Sequence, residues 1–412
     1  MASMLKKTEG IEQSRRRARF NSHSNSYSSA NSQRIRIDIN SSEEYIDFAN
    51  SYICYDLAVT GATAQVGLCK YTASSVIKEI RLKDRAGNMI GENIQDYSVL
   101  ARLAFEMNTN DEAEKSYLDA TEGALGVDLS ATTSIASRQY THQIVTGVFA
   151  SKNYFPAHLL GGLSVEIDMN SALDVVMEDG AAAVYTINNL AFVCSLVKLK
   201  PQIETMVLNQ VQQGGLVVDY VSQHCVKASV NTNTTQRHDL GTLNGRVKSV
   251  QAVQILTKAD QSVDANNSFS RNNTSNYRWK LGNRFLSESQ VEVGAAKQAE
   301  WMMEWLKSQK ALCQKDVSQF GNSNHSLANL AGSAATGGKF VIGQGADRSQ
   351  SDSVLSSLKD KDFNRLELEL NYSSTPTACT LYVFAEVDKR MRIFPGKQHQ
   401  DDDFSGQGTN MQ

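Results

Sequence analysis

The sequence predicts an all-β protein built as two tandem antiparallel β-sandwiches, each interrupted by a short helix. Three observations carry that expectation. Apolar and polar residues alternate over short runs, only four prolines (Pro156, Pro201, Pro376, Pro395) occur, and one series of elements recurs in the same order in both halves. A chain of 412 residues also exceeds the size at which one hydrophobic core stops growing, so two domains are expected.

Taken in order, residues 1 to 33 read as a basic flexible N-terminal arm, because SRRRARFNSHSNSYSSANSQ offers almost no apolar surface to offset the entropy of ordering it. Lys6, Lys7, Arg15, Arg16, Arg17 and Arg19 stand there against Glu9 and Glu12. Six cations less two acids give this head +4, and the net charge of −3 then leaves −7 on the rest of the chain.

The first sandwich is expected over residues 34 to 200. RIRIDIN puts Ile35, Ile37 and Ile39 on one strand face, and EEYIDFANSYICYDLAV continues with β-branched and aromatic residues. SSVIKEIRLKD is a further strand, ended by the turn residues Ala86, Gly87 and Asn88. In DYSVLARLAFEM, Val99, Leu100, Leu103, Ala104 and Met107 fall on one helix face. LSVEIDM aligns Leu163, Val165, Ile167 and Met169 on one side of a strand. Burying four such side chains contributes about 6 to 12 kcal/mol gross at ~1.5 to 3 kcal/mol each, so that face requires a second sheet. YTINNLAFVCSLV follows, and the boundary falls near Lys200 and Pro201.

The second sandwich is expected over residues 201 to 394, followed by a polar C-terminal tail from 395 to 412. RVKSVQAVQIL, the helix in AAKQAEWMMEWLKSQKAL, RLELELNY and CTLYVFAEV repeat the order of SSVIKEIRL, the helix near residue 100, GGLSVEIDM and YTINNLAFVCSLV. The offset, about 175 to 200 residues, is a domain rather than a solenoid period. On the second helix, Ala295, Ala299, Met302, Met303 and Leu306 form the expected apolar stripe, with Trp301 and Trp305 beside it. Helical spacing alone accounts for that stripe, so packing on a sheet or a neighbouring subunit is expected rather than a cofactor box. In LYVFAEV, Leu381, Val383, Ala385 and Val387 occupy one face while Tyr382 and Phe384 occupy the other. A central strand covered on both sides has that composition.

No motif with a catalytic mechanism is present. GxxxxGK[ST], HExxH, GxSxG and paired CxxC are all missing, and Gly337-Gly338-Lys339 and Gly343-Gln344-Gly345 are expected to be turn glycines. The six cysteines (Cys54, Cys69, Cys194, Cys225, Cys313, Cys379) are single and read as buried thiols. Glu166 and Asp168 share a strand face, which the alternation places toward solvent, and His224 and Cys225 are adjacent on a strand and point apart. The seven histidines lack metal-ligand spacing, and Asp401 to Asp403 read as a solvated run. Neither an enzyme nor a cofactor is therefore expected. MASMLKKTEG has no apolar signal-peptide core and no run approaches a membrane span, which points to synthesis in the cytoplasm or nucleus rather than secretion. Only RRRARF has a partner readable from charge. Arg15, Arg16, Arg17 and Arg19 are candidates for contacting nucleic acid or an anionic membrane, by avidity if repeated over an assembly, or the arm orders against a neighbouring subunit.

RIRIDINSSEEYIDFANSYICYDL, SSVIKEIRLKDRAGNMIGENIQDYSVLARLAFEM, FPAHLLGGLSVEIDM with VYTINNLAFVCSLVKLKP, and RLELELNYSSTPTACTLYVFAEVDKRMRI resemble the double jelly-roll major capsid proteins of the hexon-like lineage. The likeness is particularly to those of Polinton-like viruses, adintoviruses and virophages. The resemblance implies two eight-stranded jelly rolls and a structural role in the virion. Three copies would form a pseudo-hexagonal capsomer, and capsomers would tile an icosahedral shell. It further implies minor capsid or vertex proteins as partners, with genome or internal membrane met by the basic arm. The stretches 259 to 278 and 321 to 338 would be outer towers or intersubunit contacts. The rival expectations are a secreted or surface tandem β-sandwich that binds or adheres, a cupin-like enzyme, and a minor vertex capsid protein.

Overall fold

The computed structural model describes residues 10–31, 34–41, 43–62, 65–91, 93–109, 111–130, 132–151, 153–178, 183–241, 246–257, 269–281, 284–286, 289–293, 297–308, 340–345, 365–394 and 398–402. Its strands fall into two units, one drawn from residues 12–199 and the other from 216–402. In the first unit, Glu12–Asn21, Val184–Leu199, Tyr45–Thr60 and Ile135–His142 lie side by side, all antiparallel. Against them packs a second sheet of Arg34–Ile39, Leu163–Met169 and Ile77–Asp84. Alternation does what it predicts here. Ile35, Ile37, Ile39, Val165 and Ile167 are at most 1% exposed and share one core with Ile53, Tyr55 and Leu57 of the first sheet. Three short strands, Val176–Glu178, Val66–Leu68 and Val127–Ser130, make a small third sheet.

The second unit repeats the plan. Leu216–Val230, Cys379–Phe394, Arg246–Leu256 and Ile342–Gly345 form one sheet, and Thr235–Asp239, Leu366–Tyr372, Thr274–Leu281 and Arg284–Phe285 form the other. In both units the last long strand enters between the first and the third, which is the crossing of a jelly roll. Leu366, Leu368 and Leu370 are fully buried with Leu381, Val383, Ala385 and Val387 in the second core.

Several expectations are corrected by these pairings. The repeat is real but one strand out of step, because RVKSVQAVQIL holds the sheet position of Tyr45–Thr60, and SSVIKEIRL that of Thr274–Leu281. Similar alternation cannot distinguish two strands of the same sandwich. Residues 1 to 33 are not wholly a flexible arm, since Glu12–Asn21 is a ten-residue strand whose Ala18 and Phe20 pack on the core between exposed arginines. The tail likewise contributes Gln398–Asp402, paired with Arg390 to Phe394. Pro201 opens a helix, Pro201–Gly214, as its first residue, where the missing N–H costs nothing. The supposed insert 259 to 278 ends in buried structure. Phe269 is 2% exposed, Asn272 and Asn273 take positive φ in a turn, and Tyr277 and Trp279 lie in the core strand that follows. Residues 258–268 and 321–338, like Gly337-Gly338-Lys339 and Cys313, lie outside the described residues.

Both helices form, at Tyr97–Asn108 and Gln298–Ser308. The first buries Val99, Leu100 and Leu103 as its periodicity requires. The second is rotated from the expected stripe, with Trp301 and Trp305 each 2% exposed while Met303 is 45% exposed. Two indoles remove more apolar surface from water than methionines and alanines, so they set the buried side. Trp301 stacks on Phe340 at 5.1 Å and donates Nε1–H to the Val341 carbonyl at 2.8 Å. Gly343 is no turn glycine but a strand residue under this helix, where a Cβ would collide with the Ser308 side chain. Trp301→Ala is expected to lower stability by about 3 to 5 kcal/mol, whereas Met303→Ala should change it by no more than ~0.5 kcal/mol. Urea unfolding followed by circular dichroism checks both.

Candidate functional site

The four candidate arginines lie on an edge strand, and its local chemistry divides them. Arg15 donates to Glu12 at 2.8 Å, to the Tyr154 hydroxyl at 3.1 Å and to the fully buried Asp47 at 3.1 Å. Arg16 forms a two-pronged pair with Glu44, both bonds 2.6 Å. The Arg16 hydrogen bonds outweigh burial and hold the Glu44 carboxyl below its ordinary range. Both cations are therefore neutralised within the chain. Arg17 and Arg19 instead donate to neutral acceptors, the Tyr52 hydroxyl at 2.9 Å and the Asn189 carbonyl at 3.2 Å. The edge strand thus presents two arginines held by uncharged groups, on a surface that also carries Tyr52.

The other singled-out residues are structural. Glu166 and Asp168 share a face as expected, but that face is not simply solvated. Arg34, Arg81 and Lys83 from the flanking strands close on them, with Lys83 2.7 Å from Glu166, and Arg34 and Arg81 each 2.8 Å from Asp168. Burial pushes the Asp168 carboxyl up, but the hydrogen bonds from Arg34 and Arg81 prevail and leave it below its ordinary value. Burial likewise raises the Cys225 thiol far out of the nucleophilic range, and its sulfur lies 3.7 Å from Asp96. Among the described residues no group of three or more His, Cys, Asp or Glu could hold a metal, and no helix is long and apolar enough to cross a membrane.

One constellation is invisible to spacing rules. His142, fully buried, bridges Glu122 at 2.8 Å through Nδ1 and the Tyr97 hydroxyl at 2.7 Å through Nε2. The Val145 N–H also donates to that hydroxyl at 3.0 Å. Carboxylate, imidazole and hydroxyl stand in line and bond to one another, and burial drives the Tyr97 pKa far upward. The chain of bonds ties the Tyr97–Asn108 helix to the Asp119–Glu122 turn and the Ile135–His142 strand. Glu122 and Tyr97 lie 20 and 45 residues from His142 in sequence, so only the fold brings them together.

What the geometry does build is a seam between the units. Leu216, Val218, Tyr220, Phe384, Met391 and Ile393 of the second unit are all buried and belong to the same apolar cluster as Ile80, Leu82, Ile90 and Phe149 of the first. Tyr382 and Phe384 thus leave the second core for the seam, as two-sided burial of LYVFAEV requires. At Gly91, φ +73, a Cβ would lie 3.2 Å from the Tyr220 hydroxyl, so glycine permits both the turn and the approach. Polar contacts border it. Lys227 pairs with Asp96 at 2.5 Å, Arg102 lies 5.5 Å over the Phe269 ring, and His399 Nε2 donates to the Met89 carbonyl at 2.9 Å.

Comparison with known proteins agrees with this architecture. No protein-family model and no curated protein matches the sequence. Solved structures do. PBCV-1 VP54, fitted into a reconstruction of the virophage Sputnik, superposes with a TM-score of 0.63 at 10% identity, covering 97% of this chain and 99% of that one. The Faustovirus major capsid protein gives 0.64 at 7% identity, with 94% and 91% covered. The mavirus major capsid protein gives 0.53 at 12% identity, with 96% and 91% covered. The chain has the double jelly-roll fold, the architecture of these viral major capsid proteins. Both units take part, since each likeness runs over nearly the whole of both chains.

The sign of one pH effect follows from the ion pairs. Asp168 and Glu44 have folded pKa values below their ordinary 3.8 and 4.5, so their stabilisation is complete above those values and lost as pH falls through the depressed ones. Thermal melts from pH 5 to about pH 3 should fall in midpoint, and Asp168→Asn should fall less steeply.

Proposed function

We propose that the chain is a major capsid protein that self-assembles into trimeric, pseudo-hexagonal capsomers and thence into an icosahedral viral shell. The observation that carries this is the likeness to major capsid proteins at TM-scores of 0.53 to 0.64 over 94 to 97% of this chain, which takes in both jelly rolls. Physical features support it. Two similar units per chain give six around a threefold axis. The domains on this proposal are a first jelly roll to about residue 200 and a second from there to about residue 394, with Glu12–Asn21 and Gln398–Asp402 of the two chain ends paired into them.

The remaining partners rest on charge and on the likeness. Minor capsid or vertex proteins would fill the shell's special positions. Assembly would take place in the host cytoplasm or nucleus. Contact with genome or internal membrane through the basic end draws its support from Arg17 and Arg19, because Arg15 and Arg16 are already paired with carboxylates. Size-exclusion chromatography with light scattering tests the central part of the proposal. A particle of three times the 45.3 kDa chain mass is expected, and a stable monomer or pentamer would contradict it.

A further inference from the structure

The helix Pro201–Gly214 joins the two jelly rolls, and its first turn rests on the first unit around one histidine. His158 lies on the Ala157–Leu160 turn with its side chain 11% exposed, edge-on to the ring of the fully buried Tyr45 at 4.8 Å. Both ring nitrogens are sealed from water, and neither makes a hydrogen bond of ordinary geometry. Two acceptors nevertheless face the ring. One is the Glu204 carboxylate of the helix, 3.5 Å from Nε2, and the other is the Glu44 carbonyl, just before the Tyr45–Thr60 strand. The Tyr45 hydroxyl, which burial keeps protonated, faces the same Glu204 carboxylate. Glu43 also acts on the ring but is exposed and pairs with Lys198 at 3.4 Å, while the Glu44 carboxylate is taken by Arg16. Further along, Val207 and Val211 are buried and Ile203 half-buried against the core.

A neutral imidazole is tolerated in that place, whereas an imidazolium needs water or an anion at hydrogen-bond distance. We propose that the contact of His158 with Glu204 is an acid-operated release: a proton taken up by the ring from solvent frees the first turns of Pro201–Gly214 from the Ala157–Leu160 turn and loosens the joint between the jelly rolls. Burial is the largest influence on the ring and lowers its pKa below the ordinary 6.5, with Glu204, the Glu44 carbonyl and Glu43 offsetting only part of that effect. Once the helix lifts, the ring stands in water at its ordinary value, so the undocked state binds the proton first. Docking is therefore complete above 6.5 and weakens as pH falls from there toward the lowered value. Glu204, 28% exposed and 3.5 Å away, remains partly in water and pairs too loosely to reverse that sign. The release is a property of the single chain and does not depend on the capsomer reading.

Hydrogen exchange followed by mass spectrometry on the full chain tests this, with rates corrected for the intrinsic effect of pH. Between about pH 7.5 and about pH 5.5, protection of amides 203 to 208 should fall by up to about tenfold per pH unit below 6.5, the slope of one proton, while that of Val250 to Val253 stays constant. His158→Phe keeps a ring against Tyr45 but cannot take up a proton, and it should hold its protection over the same range. Should His158→Phe melt early at the higher pH, His158→Gln carries the same comparison. Glu204→Gln removes the carboxylate that favours the charged ring, so its protection should fall by at least as much as that of the wild type. Wild-type protection that is constant on acidification overturns the proposal, and so does protection that rises, which would mark a clamp of imidazolium on Glu204. A His158 variant that retains the wild-type dependence on pH overturns it as well, as does a Glu204→Gln variant that loses that dependence.

Discussion

The fold depends on one constraint: a strand that is apolar on both faces has to be covered on both. Cys379–Phe394 is that strand. Leu381, Val383, Ala385 and Val387 fill the second core, and Phe384, Met391 and Ile393 enter the cluster dominated by the first unit. Apolar surface removed from water at roughly 25 cal/mol per Å² makes separation of the two units expensive. The seam holds the two units together for that reason, although each has its own sandwich. The corresponding strand of the first unit, Val184–Leu199, is bordered by Glu12–Asn21, whose arginines are exposed among the described residues.

Polar groups decide how the apolar seam is oriented. Lys227 with Asp96 and His399 with Met89 bind opposite ends of the second unit to loops of the first. Deeper in the second unit, Lys248 and Asp388 pair at 2.8 Å with side chains 4% and 0% exposed, beside the bulge between Val247 and Ser249. A buried pair of this kind adds little over two well-packed apolar residues, but any register that parts the charges is heavily penalised. The Glu122, His142 and Tyr97 series acts similarly in the first unit, holding a helix, a turn and a strand in one arrangement.

Strands such as RIRIDI, LSVEIDM and LELELNY are legible from alternation alone, because one buried face fixes a period of two. Their places in the sheets are not, since pairing is set by contacts far away in sequence, and the repeat is accordingly read one strand out of step. Glu12–Asn21 is hidden for another reason. Its charge dominates its composition, while the structural signal is only Ala18 and Phe20 between arginines. In the second helix the tryptophans outweigh the methionine stripe, and in NNTSNYRW the asparagines conceal a core strand containing Tyr277 and Trp279. The candidate site is legible only as a set of cations. Which of them the chain neutralises depends on Asp47 and Glu44, some thirty residues on in sequence, and on Tyr154 much further still.

Amide hydrogen exchange on the intact chain bears most directly on the doubly covered strand. If the two units are held as one body, amides of Tyr382 to Phe384 should exchange only through global opening, at the same rate as those of Ile53 to Leu57 in the other unit. Exchange of the second unit's central strand by a separate, easier opening, with the first unit still protected, would contradict the account.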